Sequence, residues 1–305
     1  MAFQDAYRQQ VALLIRTIPF VAQEQCFALK GGTAINLFVR DLPRLSVDID
    51  LTYLPVEDRA SSLAAIDAAM VRIKERIEGG IPGAAVAPSR SAGDNIIAKL
   101  IVRSEGVQIK IEVTPVLRGT VYDHMVMSVV PLVEDTFGFA EMQVVSLADL
   151  YAGKIVAALD RQHPRDLFDV RDLLANEGIS GELRRAFLVY LISHNRPMAE
   201  VLAPTRKPLN AEFERGFIGM TQENVELADL EAAREALVTT MVGEMPDAHR
   251  EFLIGFKRGE PDWELLGIPE AKHLPAVVWK QRNLEELRPE KRQELIEELK
   301  NLLLF

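Results

Sequence analysis

The sequence predicts an α+β chain, with a mixed sheet flanked by helices over 1–145 and an α-helical domain over 146–305. Three observations predict it. SVDIDL and VQIKIEVTPV alternate polar and apolar residues at the two-residue period of a strand. Turn-forming pairs such as Glu105-Gly106 punctuate the first half. From Ser146 onward the apolar spacing changes to the helical period.

In chain order, residues 3–18 carry Val11, Leu14, Ile15 and Ile18 at helical spacing, with Pro19 expected to end or kink the helix. A short apolar run ends at Leu29 before Gly31-Gly32. Pro43 then excludes a helix running through to SVDIDL. Residues 57–77 form a second long helix stopped by Gly79-Gly80. Residues 84–89, 95–104 and 107–117 read as strands, the last two as a hairpin. Residues 119–146 hold short strand-like pieces that close the first domain. Ser146 suits the N-cap of a helix burying Leu147, Leu150, Tyr151, Ile155 and Ala158, with Lys154 beside that stripe. Gln162-His163-Pro164 breaks the chain, and RDLFDVRDLLANEG begins another helix. Beyond residue 178 nearly everything reads as helix, with Trp263 and Trp279 as packing anchors.

The chemistry is concentrated between Phe27 and Leu54. On a strand over SVDIDL, Val47, Ile49 and Leu51 face a core while Ser46, Asp48 and Asp50 share the opposite face. With a rise of about 3.3 Å per residue, the two aspartates lie roughly 7 Å apart at Cα, within reach of one divalent cation. Their hard oxygens suit Mg²⁺. Gly31 and Gly32 allow close backbone approach, and Thr33 has the chemistry of an N-cap whose helix would offer N–H groups to phosphate. Taken singly, a Gly-Gly pair is usually only a turn and Asp-x-Asp only a solvated face. In this order and spacing, they favour a metal site beside a phosphate cradle.

LKGGTAINL…LPRLSVDIDL, including Arg44-x-Ser46, resembles the first motif of the nucleotidyltransferase-like toxins of the AbiEii/AbiGii type, a branch of the polymerase-beta-like nucleotidyltransferases. The resemblance implies a polymerase-beta-like domain in which a neighbouring strand supplies a third carboxylate. Glu112 would fill that role and complete a metal set with Asp48 and Asp50, with a two-metal site possible. On the residues alone, Glu112 reads equally as a surface group paired with Lys110 or Lys99. The second half of the resemblance is Lys154 followed by Arg165-Asp166-x-x-Asp169. It implies that the helical domain supplies a Lys and an acidic residue to the cleft. Lys154 would contact the triphosphate, and Asp169 would orient the base or accept a proton. Arg165 and Asp166 would hold the helix start and cleft wall. His163 reads as an ordinary loop histidine. Gly31, Gly32, Thr33 and Ser46 complete the implied nucleotide-binding set.

The implied activity is NTP- and Mg²⁺-dependent nucleotidyl transfer by the toxin of a toxin–antitoxin or abortive-infection system. A cognate antitoxin would be encoded nearby, and an RNA such as tRNA would be the acceptor. A small-molecule or protein hydroxyl is the alternative acceptor. A catalytically idle nucleotide-binding module is the reading of another class, and the intact Asp48, Asp50, Glu112 and Lys154 set argues against it.

Composition bounds these readings. The hydrophobic share of 48% and charged share of 26% are those of a globular chain. No apolar run reaches a membrane span, and MAFQDAYRQQ lacks signal-peptide character. The single Cys26 excludes a disulfide framework and a Cys-rich zinc site, which points to a reducing, cytoplasmic setting. A net charge of −10 argues against a generic nucleic-acid coat. An RNA acceptor would need a local basic rim, for which Lys99, Arg103, Arg165, Arg184, Arg185, Arg206 and Lys207 are the candidates.

Overall fold

In the computed structural model, which describes residues 5–303, the chain divides into two units. The first runs to Ser146 and also takes in Ile218–Asn224; the second holds Leu147–Phe217 and the chain from Val225 on. The first contains helix α1 (Asp5–Val21), strand β1 (Phe27–Lys30), helix α2 (Gly31–Ala34), strand β2 (Asp48–Tyr53) and helix α3 (Arg59–Gly80). Strands β3 (Ala85–Arg90), β4 (Ile97–Ser104), β5 (Val107–Arg118) and β6 (Met125–Ser128), helix α4 (Pro131–Phe137) and strand β7 (Glu141–Val144) follow.

All seven strands join one sheet in the order β3-β4-β5-β2-β1-β7-β6. The β2–β5 and β1–β7 pairs are parallel and the others antiparallel, so the sheet is mixed. Alternation decides which residues meet the helices. Ile49 and Leu51 of β2, Leu100 and Val102 of β4, and Ile109, Ile111 and Val113 of β5 are buried. They face α1, which packs on β5, and α3, which packs on β3 and β4. Val11, Leu14 and Ile18 of α1 and Ile66, Met70, Ile73 and Ile77 of α3 complete this core. Each such side chain contributes about 1.5–3 kcal/mol of burial, enough to fix the register that leaves the polar residues on the other face.

Several local expectations change. The start of the first helix at residue 3 lies outside the described residues. Its end is Val21, with Pro19 inside the last turn. Proline removes one N–H there, yet Ala22 still donates to the Ile18 carbonyl, so the turn closes. The residue capping α2 is Lys30 rather than Thr33, without a side-chain cap bond. A wide turn over Ile35–Val39 extends that helix, closed by Arg40 N–H donating to the Ile35 carbonyl at 2.8 Å. Strand β2 starts at Asp48, so Val47 lies before it and is only half-buried. Within 119–146, α4 interrupts the strand pieces, nucleated by Pro131 at its first turn.

The second unit is built of helices α5 (Leu147–Arg161), α6 (Pro164–Asn176), α7 (Gly181–Ser193), α8 (Met198–Leu202) and α9 (Asn210–Gly216). Helices α10 (Leu227–Val238), α11 (Asp247–Arg258), α12 (Pro275–Glu285) and α13 (Pro289–Leu303) complete it. Helix α5 packs on α6 and α7, α6 on α10, and α11 on α13. Leu147, in the first turn of α5, is exposed rather than part of its buried stripe. Trp263 packs edge-on against Phe252 with ring centroids 5.1 Å apart, whereas Trp279 is exposed and anchors less than its size suggests. Among the described residues, no helix is long and apolar enough to cross a membrane.

The corner between α5 and α6 is fixed by buried Gln162, held at φ +53. Its amide donates to the Thr205 carbonyl at 2.9 Å and accepts from Lys207 N–H at 3.0 Å and Arg234 at 3.1 Å. A buried amide satisfied on both sides specifies this corner, and it aims the start of α6.

Candidate active site

The glycine pair is dictated by contact with the aspartate strand. Gly31 adopts φ +76, and a Cβ on it would sit 2.6 Å from Asp50 Oδ2. A Cβ on Gly32 would lie 2.8 Å from the Arg44 guanidinium and 2.9 Å from Ser46 Oγ. Thr33 is fully buried; its hydroxyl donates to the Asp48 carbonyl and shares a 3.0 Å hydrogen bond with the Ser46 hydroxyl. Thr33 therefore tethers the aspartate strand to the glycine turn rather than capping a helix. Arg44 is buried behind Gly32 and donates to the Leu45 carbonyl at 2.9 Å. The returning segment straps this loop from outside: Leu45 N–H donates to Met220 at 2.8 Å, and Arg44 bridges Thr221.

Gly31→Ala should therefore displace Asp50. A misplacement near 1 Å at reacting groups costs roughly 10²-fold in rate, so the nucleotidyl transfer that the resemblance implies should fall by about that much. A labelled-NTP assay beside a thermal melt checks this, since wild-type activity in a folded Gly31→Ala protein would contradict the close contact.

The acidic residues lie in cross-strand rows. In the parallel β2–β5 ladder, Asp50 is opposite Glu112 and Asp48 opposite Lys110. Lys30 is opposite Asp50 on the other side, and Lys99 opposite Glu112. One row thus reads Lys99, Glu112, Asp50, Lys30 across four neighbouring strands, spaced by about 4.8 Å per strand. The Glu112 carboxylate is 3.4 Å from Lys99, the pairing that a purely structural role would give it, and Asp48 is 3.4 Å from Lys110. The Lys30 side chain reaches across β2 and donates to Thr114 Oγ1 of β5 at 3.2 Å. Burial lowers the Lys30 pKa, against the pull of Asp50 and Glu112, which favour the ammonium.

These residues fit a hard divalent cation in kind. Asp48, Asp50 and Glu112 offer carboxylate oxygens from one sheet face, next to a glycine turn that any Cβ would fill. They are not drawn into a cage, because among the described residues no group of three acidic, imidazole or thiol side chains is close enough to hold a metal ion.

The remaining candidates form a second cluster, within the helical unit. Lys154 of α5 is only 6% exposed at its side chain and lies 2.8 Å from Asp166 and 2.9 Å from Asp169, each 1% exposed. Arg161 closes on Asp166 with two guanidinium hydrogen bonds. Burial pushes the Asp166 carboxyl up, but Lys154 and Arg161 override it and hold the group well below the usual carboxylate range. Lys154 is thus inside the stripe rather than beside it, neutralised by two carboxylates. His163 caps α6, its Nδ1 accepting from Arg165 N–H at 3.1 Å. Arg165 is half-buried in the first turn of that helix.

Lys30 and Arg161 were not singled out in the sequence. The signal for Lys30 was its place just before Gly31, ending a strand that must pair with the aspartate strand. For Arg161 it was the five-residue separation from Asp166 across the α5–α6 corner. Much of the expected basic rim is committed elsewhere: Lys99 to Glu112, Arg103 to Gln108, Arg206 to Glu235 and Lys207 to the Asp160 carbonyl. Arg184 donates to the carbonyls of Thr240 and Met241.

A seven-stranded mixed sheet with this glycine turn beside an aspartate strand is the arrangement that the sequence resemblance implies, and comparison shows the class. The family described as "Nucleotidyl transferase AbiEii toxin, Type IV TA system" matches residues 12–281. The chain belongs to this family and is a nucleotidyltransferase toxin of a type IV toxin–antitoxin system, a class that uses a nucleoside triphosphate and is paired with an antitoxin. Among solved structures it is similar to MenT4, a nucleotidyltransferase toxin from Mycobacterium tuberculosis H37Rv, with a TM-score of 0.61 and 16% identity. That match covers 91% of this chain and 93% of the other, and the likeness is one of fold. No curated protein matches the chain by sequence.

Proposed function

We propose that this toxin transfers a nucleotide from an NTP to an RNA acceptor, tRNA in particular, in a Mg²⁺-dependent reaction in the cytoplasm. Asp48, Asp50 and Glu112 hold the cation, which when bound neutralises charge developing on the triphosphate. The observation that carries this reading is the ladder register setting Glu112 against Asp50, next to the glycine turn. Backbone N–H groups at Gly31, Gly32 and Thr33 orient the phosphates, and Ser46, held by Thr33, lines the same turn.

The helical cluster belongs to the same reaction. Lys154 serves as a point charge for the triphosphate, and Asp169 orients the base or accepts a proton from the attacking hydroxyl. Arg165 and Asp166 keep the start of α6 in place, with Asp166 anchored by Arg161. The antitoxin restrains this activity.

Incubation of the purified protein with each labelled NTP, Mg²⁺ and total RNA tests the proposal. Label should enter RNA of tRNA size, and chelation of Mg²⁺ should abolish it. Binding of the RNA acceptor should weaken steeply with salt through counterion release, unlike binding of a small molecule. Label found only on a small molecule or on protein would overturn the RNA assignment and leave the nucleotidyltransferase class intact.

A further inference from the structure

The carboxylate face carries as many lysines as candidate metal ligands. Lys110 lies 3.4 Å from Asp48 and Lys99 lies 3.4 Å from Glu112. Both are direct cross-strand neighbours of the carboxylates they meet, so the sheet itself keeps each ammonium beside its partner. They cancel two of the three negative charges of Asp48, Asp50 and Glu112 before Lys30, which feels both Asp50 and Glu112, is counted. Attraction for a bare divalent cation scales with the net charge that it meets, and a nearly neutral face offers little.

A nucleoside triphosphate changes this balance. Its phosphate oxygens accept charge-assisted hydrogen bonds from ammonium groups as carboxylates do, and its complex with a divalent cation carries net negative charge. We propose that Lys99 and Lys110 are resident counter-ions that keep this face from loading with a free divalent cation. The metal then enters as its complex with the nucleoside triphosphate, whose phosphate oxygens take over the two ammonium groups. The inference rests on the assignment of Asp48, Asp50 and Glu112 as the cation ligands. It adds a role for two lysines: between turnovers these ammonium groups, and no free cation, sit against Glu112 and Asp48. Both ion pairs are partly exposed, so their exchange costs little.

Equilibrium dialysis of the full chain against Mn²⁺, with and without a mixture of non-hydrolysable analogues of the four NTPs, reads this directly. The wild type should retain Mn²⁺ with the analogues and little without them. The Lys99→Met/Lys110→Met double variant should bind Mn²⁺ alone at least about tenfold more tightly than the wild type. Its melting temperature reports folding, and the single variants Lys99→Gln and Lys110→Gln, each with a smaller gain in the same direction, replace it should it fail to fold. Equal Mn²⁺ binding by the wild type with and without analogues, or unchanged binding in the variants, would overturn the counter-ion role. Asp50→Ala separates this from the parent assignment. If Mn²⁺ retention with analogues survives that substitution, or never occurs in the wild type, the carboxylate assignment fails and the counter-ion role with it. If Asp50→Ala abolishes retention and the lysine variants change nothing, only the counter-ion role fails.

Discussion

Asp50→Ala should reduce nucleotide transfer on the order of a thousandfold without lowering the melting temperature, and Asp48→Ala should do the same. The reason is positional. Asp50 stands at the centre of the row, between Glu112 and Lys30, with Gly31 pressed against its carboxylate oxygen. Neither aspartate is buried, so truncation removes no core packing. The buried half of the strand, Ile49 and Leu51, is untouched and keeps β2 in register. Transfer of label from NTP, measured beside a thermal melt, separates lost chemistry from lost fold. A folded Asp50→Ala protein with full, still metal-dependent activity would contradict the assignment.

The largest effect on stability belongs to the helical unit. Asp166→Ala should destabilise it by about 3–5 kcal/mol, the range for removing one partner from a buried ion pair. Asp166 is the bidentate acceptor of Arg161 and one of the two acceptors that neutralise buried Lys154. Removing it leaves the Lys154 ammonium in a site built for two carboxylates. Denaturant titration followed by far-ultraviolet circular dichroism measures the loss, and a cost below about 1 kcal/mol would show that the cluster relaxes freely. The pH dependence carries the matching sign. Because the folded Asp166 carboxyl is held below its ordinary value of 3.8, its stabilisation is present above that pH and is lost as pH falls through the lower, folded value. Asp166→Asn should accordingly flatten the acid limb of the stability curve below about pH 4.

How much of this was legible in the sequence depends on the range of the interaction involved. Local periodicity placed β4, β5, α3 and most later helices, because one buried face repeats at a fixed period in each. Ile49/Leu51 and Ile109/Ile111/Val113 stand where alternation put them. Periodicity is blind to short elements nucleated by a single residue, so α4, begun by Pro131, was hidden among strand-like apolar residues. It also credited Thr33 with a cap, because N-cap chemistry and a buried tether to the next strand draw on the same hydroxyl. Candidate acids were readable as residue types at spacings, whereas their partners were not. That Asp50 faces Glu112 and Lys30, or that Lys154 is enclosed by Asp166 and Asp169, follows from ladder register and helix packing set by residues far apart in sequence. The return of Ile218–Asn224 to brace Arg44 is of this kind and has no local signature.

The central claim is that Glu112 completes on β5 the cation-holding set begun on β2. Glu112→Gln tests it most directly, since the amide keeps the size and removes only the charge. The measurement is the rate of nucleotide transfer as a function of Mg²⁺ concentration, with the melting temperature as control. The account predicts a folded protein whose rate falls on the order of a hundredfold and whose half-saturating Mg²⁺ concentration rises. A wild-type rate at the wild-type Mg²⁺ requirement would contradict it and return Glu112 to the role of a surface partner for Lys99.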